Sequence, residues 1–212
     1  MRKAPPLPFL PEEWHGKEVL VLAMCYTGDI AEGQDATAEI RNIGQPIAEA
    51  IGPMPFVNWQ AAFDPLLTEG ARNYWKSHDI SIINDDVISQ IENAVQTLPS
   101  DECEIFLAHL SGAMTKVAPQ ETPWLNRETH FTMNVHTRWQ DPKDDELCRQ
   151  WARQLHANLT PHSMGSIYVN FIPDDDENCM AEAYGANYAR LKSIKQQFDP
   201  ANLFRINHNI VP

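Results

Sequence analysis

The stretch THFTMNVHTRW, Thr129 to Trp139, alternates apolar and polar residues. In an extended chain successive side chains point to opposite faces. Phe131, Met133 and Val135 therefore share one side, and Thr132, Asn134 and His136 share the other. A strand that is half polar belongs to an antiparallel sheet covered on one face only. Other segments point the same way. Val19–Tyr26, the run at 72–77 and Glu102–Leu110 read as strands, with Ala113–Val117 as a hairpin partner for the last. Phe56–Phe63 alternates too, with Val57, Trp59, Ala61 and Phe63 on one face and Asn58 and Gln60 on the other. Ser166–Phe171 is read as a strand that turns Ile167, Val169 and Phe171 inward and Tyr168 and Asn170 outward.

Helical spacing marks 31–43 and Val87–Leu98, the latter with Asn84 available as its N-cap. Asp141-Pro142 opens a further helix through Leu159, and Ala181–Gln197 is another. Interspersed strands and helices without an internal repeat predict a single α+β domain over 1–212. Its expected character is ferredoxin-like, a mostly antiparallel sheet with helices packed on one face.

Composition narrows the function. The 212 residues are 43% apolar and carry a net charge of −13, enough apolar mass for a core and the wrong sign for a phosphate backbone. Nucleic acid is not an expected partner. No apolar run approaches the ~20 residues of a membrane span. Cys25, Cys103, Cys148 and Cys179 are scattered, without the paired spacing of a zinc or redox site, and read as reduced thiols of a cytoplasmic protein. The nine glycines form no dinucleotide or P-loop motif, and no phosphate cradle is evident. The acidic run at 174–178 reads as a solvated loop rather than a metal site.

The end of the chain is the most specific part. AYGANYARLKSIKQQFDPANLFRINHNIVP, residues 183–212, contains Asn187-Tyr188, Leu191, Lys195, Asp199-Pro200, Asn202 through Arg205 and Asn207 through Ile210 in order. This resembles the closing segment of FAD-linked oxidases of the berberine-bridge-enzyme type. Tyr168-Val169-Asn170 resembles the Y-x-N element of the same family. Leu7–Val19, Gly52–Leu67 and Asn73–His78 are similar to its substrate domain. The resemblance divides the chain into a substrate-domain part, about 1–165, and a berberine-like segment, 166–212. The family's FAD-binding domain has no counterpart in these residues, so the expectation is a truncated oxidoreductase half.

The resemblance implies a flavoprotein that oxidises a small-molecule hydroxyl by hydride transfer to FAD, with the FAD-binding domain supplied in cis or in trans. It gives Tyr168 the role of general base. His109 stands near the place of a second catalytic group, with a structural histidine at a strand end as the alternative. Asn170 and Asn207 are assigned to the flavin, with buttressing of the Tyr168 strand as the alternative. From the alternation alone, Gln60, Asn134 and His136 are candidates for substrate contact on the polar face. The isolated chain is expected to be inactive and to bind FAD weakly or not at all, and a homodimer is expected through the uncovered, flavin-facing surface or a sheet edge. The competing reading is a non-enzymatic binding or assembly module on the same fold.

Overall fold

The computed structural model describes residues 1–173 and 179–212. The acidic run expected to be a solvated loop lies outside the described residues. The centre is a five-stranded, wholly antiparallel sheet. Its strands are β1 (Arg2–Lys3), β2 (Glu18–Val19), β3 (Arg72–Ile80), β4 (Glu104–His109) and β5 (Phe131–Trp139), in the order β2-β1-β4-β5-β3. β3 and β4 are both antiparallel to β5, which lies between them. They are therefore parallel to each other and joined through a helix. This is the split β-α-β arrangement of ferredoxin-like folds.

The helices are α1 (Ile30–Arg41), α2 (Phe56–Gln60), α3 (Asp85–Val95), α4 (Asp145–Leu159), α5 (Cys179–Tyr184) and α6 (Tyr188–Phe198). α3 begins where Asn84 accepts a hydrogen bond from the Val87 N–H at 3.0 Å, as an N-cap should. Its Val87 and Ile91, with Cys148, Ala152, Leu155 and Leu159 of α4, pack on Ile105, Met133, Val135 and Trp139. The odd-numbered residues of β4 and β5 and the even-numbered residues of β3 thus face the helices. Asn134, His136, Ser77, Asp79, Glu104 and Phe106 lie on the opposite, helix-free side by register. The α+β class stands, with α3 and α4 on one face; the other face is not bare, since Ser77, Asp79, Thr132 and Asn134 on it are buried too.

Five expected elements differ. Of Val19–Tyr26 only Val19 pairs, as the end of β2, because its neighbour β1 presents just Arg2 and Lys3 for pairing. Phe56–Phe63 is not a strand. Pro55 precedes a short helix, and Trp59 and Phe63, four residues apart, meet edge to face at 5.9 Å, a contact natural to helical spacing. Ala113–Val117 cannot form a hairpin partner because both sides of β4 are taken by β1 and β5; the chain forms a 3-10 turn over Gly112–Lys116. The helix expected over Ala181–Gln197 is split at Gly185, whose φ of 46° interrupts it.

Ser166–Phe171 is the fifth. Its link to the sheet is a bridge at the free side of β3. The Asp79 N–H donates to Ser166 O at 3.2 Å, and the Met164 N–H donates to Asp79 O at 2.9 Å. The chain then turns away, the Phe171 N–H donating to Tyr168 O at 2.9 Å to close a 3-10 turn over Val169–Phe171. A second apolar cluster of Ile172, Cys179 and Ala183 receives Ile167 and Val169.

Candidate functional site

A buried carboxylate anchors the Tyr168 segment. Asp79 is fully buried on the helix-free side of β3. It accepts hydrogen bonds from Thr132 Oγ1 on β5 and from Ser166 Oγ, each at 2.8 Å. Two residues beyond Ser166, Tyr168 stands 36% exposed while Ile167 and Val169 pack inward. Ile167 and Val169 keep the expected inward side, but Phe171, expected inward with them, packs on Tyr168 instead because the chain turns over Val169–Phe171. Asn170 Nδ2 donates to the Tyr168 hydroxyl oxygen at 2.7 Å, and the Phe171 ring meets the phenol edge to face at 5.2 Å.

Tyr168 borders a cavity of about 320 Å3. Thr122, Pro123 and Trp124 form one wall, Ile167, Tyr168 and Val169 the other, and Ala183 and Tyr184 contribute from α5. Burial pushes the Tyr184 phenol above its ordinary value, so it remains protonated. Arg127 lies over the Trp124 ring at 4.7 Å, fixing the aromatic wall by a cation–π contact.

The other sequence candidates divide. Asn134 is on the helix-free side of β5, opposite Ser77, 8% exposed and with Oδ1 unpaired. Trp75 Nε1 and Ser77 Oγ are likewise buried without a hydrogen-bond partner among the described residues. Buried polar atoms normally find partners, so this patch holds a donor, a hydroxyl and an acceptor that the described residues leave unmatched. His136 is committed elsewhere: its ring nitrogens contact Asn73 Oδ1 at 3.0 Å and Glu104 Oε1 at 3.4 Å, and its ring lies edge-on to Trp75. Burial raises the Glu104 carboxyl, but the His136 hydrogen bond and the Arg2 guanidinium at 3.0 Å outweigh it and leave its pKa below the ordinary value.

Gln60 is exposed at the end of α2 and not on the sheet, a correction that follows from the helical folding of 56–60. His109 shares the helix-side register of Ile105 and Leu107, is exposed at the strand end, and packs beside Phe131 at 5.3 Å. It is not part of the Tyr168 cavity. Asn207 is exposed, with a left-handed φ of 61°. Asn170 and Tyr168 are brought together; Asn134 lies on the same side of the sheet as the Asp79 anchor.

Two features were not singled out from sequence. Asp79 had a signal, the one carboxylate in a strand whose other charged residues, Arg72 and Lys76, are cationic. Asn187 belongs to the quoted Asn-Tyr pair, but its three main-chain partners are remote in sequence and unreadable from it. Among the described residues no group of His, Cys, Asp and Glu is arranged for a metal, and no helix is long and apolar enough to cross a membrane.

An antiparallel sheet with α3 and α4 on one face, a phenol held by an amide two residues on, and α5 beside them are the features that known proteins share or lack. Residues 167–211 match the family described as "Berberine and berberine like". An FAD-linked oxidoreductase of Dictyostelium discoideum is 26% identical over 197 residues, covering 92% of this chain and 43% of that protein. An FAD-linked oxidoreductase of Bacillus subtilis is 29% identical over 185 residues, covering 85% and 39%. The fold matches BBE-like 1 of Physcomitrella patens with a TM-score of 0.68 at 18% identity, over 88% of this chain and 43% of that one. Residues 167–211 are thus similar to the berberine and berberine-like family, and the chain spans less than half the length of these relatives.

Proposed function

We propose that this chain is the substrate-side part of an FAD-dependent oxidoreductase acting on a small molecule with a hydroxyl group, and that Tyr168 takes the hydroxyl proton. The observation that carries the reading is the Asn170 amide donating to the Tyr168 oxygen at 2.7 Å beside an open cavity. A donor aimed at that oxygen orients the phenol and is in place to hold negative charge on it. A free phenol has a pKa of about 10, so such help is needed for base chemistry near neutrality.

The chain's residues fit a polar, planar neighbour. Trp75 Nε1, Ser77 Oγ and Asn134 Oδ1 are buried and unpaired on one stretch of the helix-free side. In this reading Asn170 and Asn207 would hold FAD, and Asn134 would meet the substrate. FAD, when bound, accepts the hydride from the carbon that carries the hydroxyl. Tyr168 receives the proton at its hydroxyl oxygen, and the Asp79–Ser166 anchor keeps that oxygen at the cavity. Trp124 and Tyr184 narrow the cavity with aromatic surface, which excludes water. The proposal gives His136 a structural role through Glu104 and Asn73.

The alcohol-oxidising activity requires the FAD-binding domain, in cis or in trans, and the isolated chain is inactive. The test is reconstitution. The purified chain is mixed with FAD alone and, separately, co-expressed with an FAD-binding domain of a relative. Flavin colour eluting with the chain only in the second case, and bleached anaerobically by a primary alcohol, is the expected result. Stoichiometric FAD on the chain alone would contradict the need for the second domain. Reconstituted flavin that no alcohol bleaches would favour a non-enzymatic module.

A further inference from the structure

We propose that Asn187 is a positioning residue, holding the loop wall of the Tyr168 cavity in register with the phenol. The inference rests on the reading of that cavity as the substrate site. The wall comes from residues 117–125, VAPQETPWL. Pro119 and Pro123 bring carbonyls but no N–H groups, so the segment has more acceptors than it can satisfy internally. Asn187 supplies the donor. It is 6% exposed, and its Nδ2 reaches Pro119 O at 2.8 Å, Thr122 O at 3.1 Å and Pro123 O at 3.3 Å. Two amide hydrogens are thus fanned across three carbonyls.

Two neighbours, Gly185 on the same turn and Arg190 in α6, reinforce it. Gly185 lets the backbone approach the loop: a Cβ there would stand 2.6 Å from Leu125 Cδ2. Arg190 Nη1 donates to Gln120 O at 3.0 Å. The tail beyond Tyr184 therefore grips the loop at several points between Pro119 and Leu125. Asn187 itself does not line the cavity; the Thr122 and Pro123 it holds do, facing Ile167 to Val169. Its influence on the phenol passes through the loop. The Asn-Tyr pair near the end of the chain acquires a reason: the amide must donate, and the side chain must be short enough to lie under the loop.

The experiment uses this chain labelled with 5-fluorotryptophan, with the Trp124 fluorine signal assigned by Trp124→Phe. Asn187→Asp keeps the shape but sets an acceptor against three carbonyls. The expected result is a shifted, broadened Trp124 signal and roughly 10-fold faster amide exchange at 120–125. The signals of Trp75 and Trp139 in the sheet stay in place. Asn187→Ala, which removes the donor without adding charge, gives the same pattern and serves if the aspartate variant does not fold. Tyr168→Phe leaves the Trp124 signal essentially unmoved, so failure of the proton-acceptor reading does not imitate failure of this one. An unchanged Trp124 signal in a folded Asn187 variant overturns the proposal. So does a common shift of all six tryptophans in both variants, which would make Asn187 a general stability residue.

Discussion

Replacing Ser166 by alanine removes one of the two side-chain donors that reach the buried Asp79 carboxylate. Thr132 remains on Oδ1 at 2.8 Å, and Oδ2 loses the Ser166 hydroxyl, also at 2.8 Å. The serine is 4% exposed, so water does not readily replace it. A hydrogen bond to a charged group contributes ~1.5–3 kcal/mol. At ~2–4 °C per kcal/mol for a chain of this size, Tm should fall by ~3–12 °C. Thermal unfolding followed by circular dichroism reads that number. Amide exchange locates it: the gain should concentrate at 164–172, where Ser166 ties the Tyr168 segment to β3, and spare β5. Thr132→Val should cost a similar amount without loosening 164–172. The two substitutions should couple by ~0.5–3 kcal/mol in a double-mutant cycle, because they share one carboxylate. Ser166→Ala and Thr132→Val each within ~0.5 kcal/mol of wild type would refute the anchor, and with it the account of how Tyr168 is placed.

Other consequences follow from single sites. Burial holds the His78 imidazole below its ordinary value, against the opposing pull of its hydrogen bond to His156 O and the nearby Asp79. The folded chain then takes up that proton later than the unfolded chain on acidification. The His78 contribution to stability is whole above about pH 6.5 and is lost as pH falls below it; His78→Gln should flatten that part of a urea-denaturation profile. Cys25 is exposed while Cys103, Cys148 and Cys179 are buried, and the Cys148 thiol is pushed up to about 12, chiefly by burial. One thiol per native chain should react rapidly with Ellman's reagent, and Cys25→Ser should abolish it. Gly185→Ala meets both a φ of 46° and Leu125, and should cost about 1–2 kcal/mol in denaturant unfolding. Leu203, Phe204 and Ile206 are each more than 75% exposed on a turn whose N–H groups at 203 and 204 donate to Asp199. If the chain pairs with itself through apolar surface of this kind, Phe204→Ser should shift light scattering toward monomer with little change in Tm.

The sheet was legible where periodicity and partner agreed. In Thr129–Trp139 the alternation alone sorts Met133 and Val135 from Asn134 and His136, and pairing on both sides makes it a strand. Alternation misled where no partner existed. Gln60 and Trp59 alternate as well as Asn134 and Met133, but Pro55 and the Trp59–Phe63 contact favour a helix. Tyr168 lies between these cases. Its neighbours Ile167 and Val169 pack inward as the pattern implies, yet main-chain hydrogen bonds within the turn take the place of a ladder. His109 carried no local signal of its face; only the register with Phe131 places it on the helix side. Asn187 was visible as part of a motif but not as a donor, since its acceptors lie more than sixty residues away.

The central claim is that Tyr168 accepts the substrate proton. Its most direct test is the rate of anaerobic flavin reduction by an alcohol, across pH, in the flavin-containing oxidoreductase assembled on this chain with its FAD-binding domain. Tyr168→Phe should lower that rate by ~10²–10⁴, the usual contribution of a positioned general base, while leaving flavin content unchanged. Reduction at the wild-type rate would contradict the proton-acceptor role.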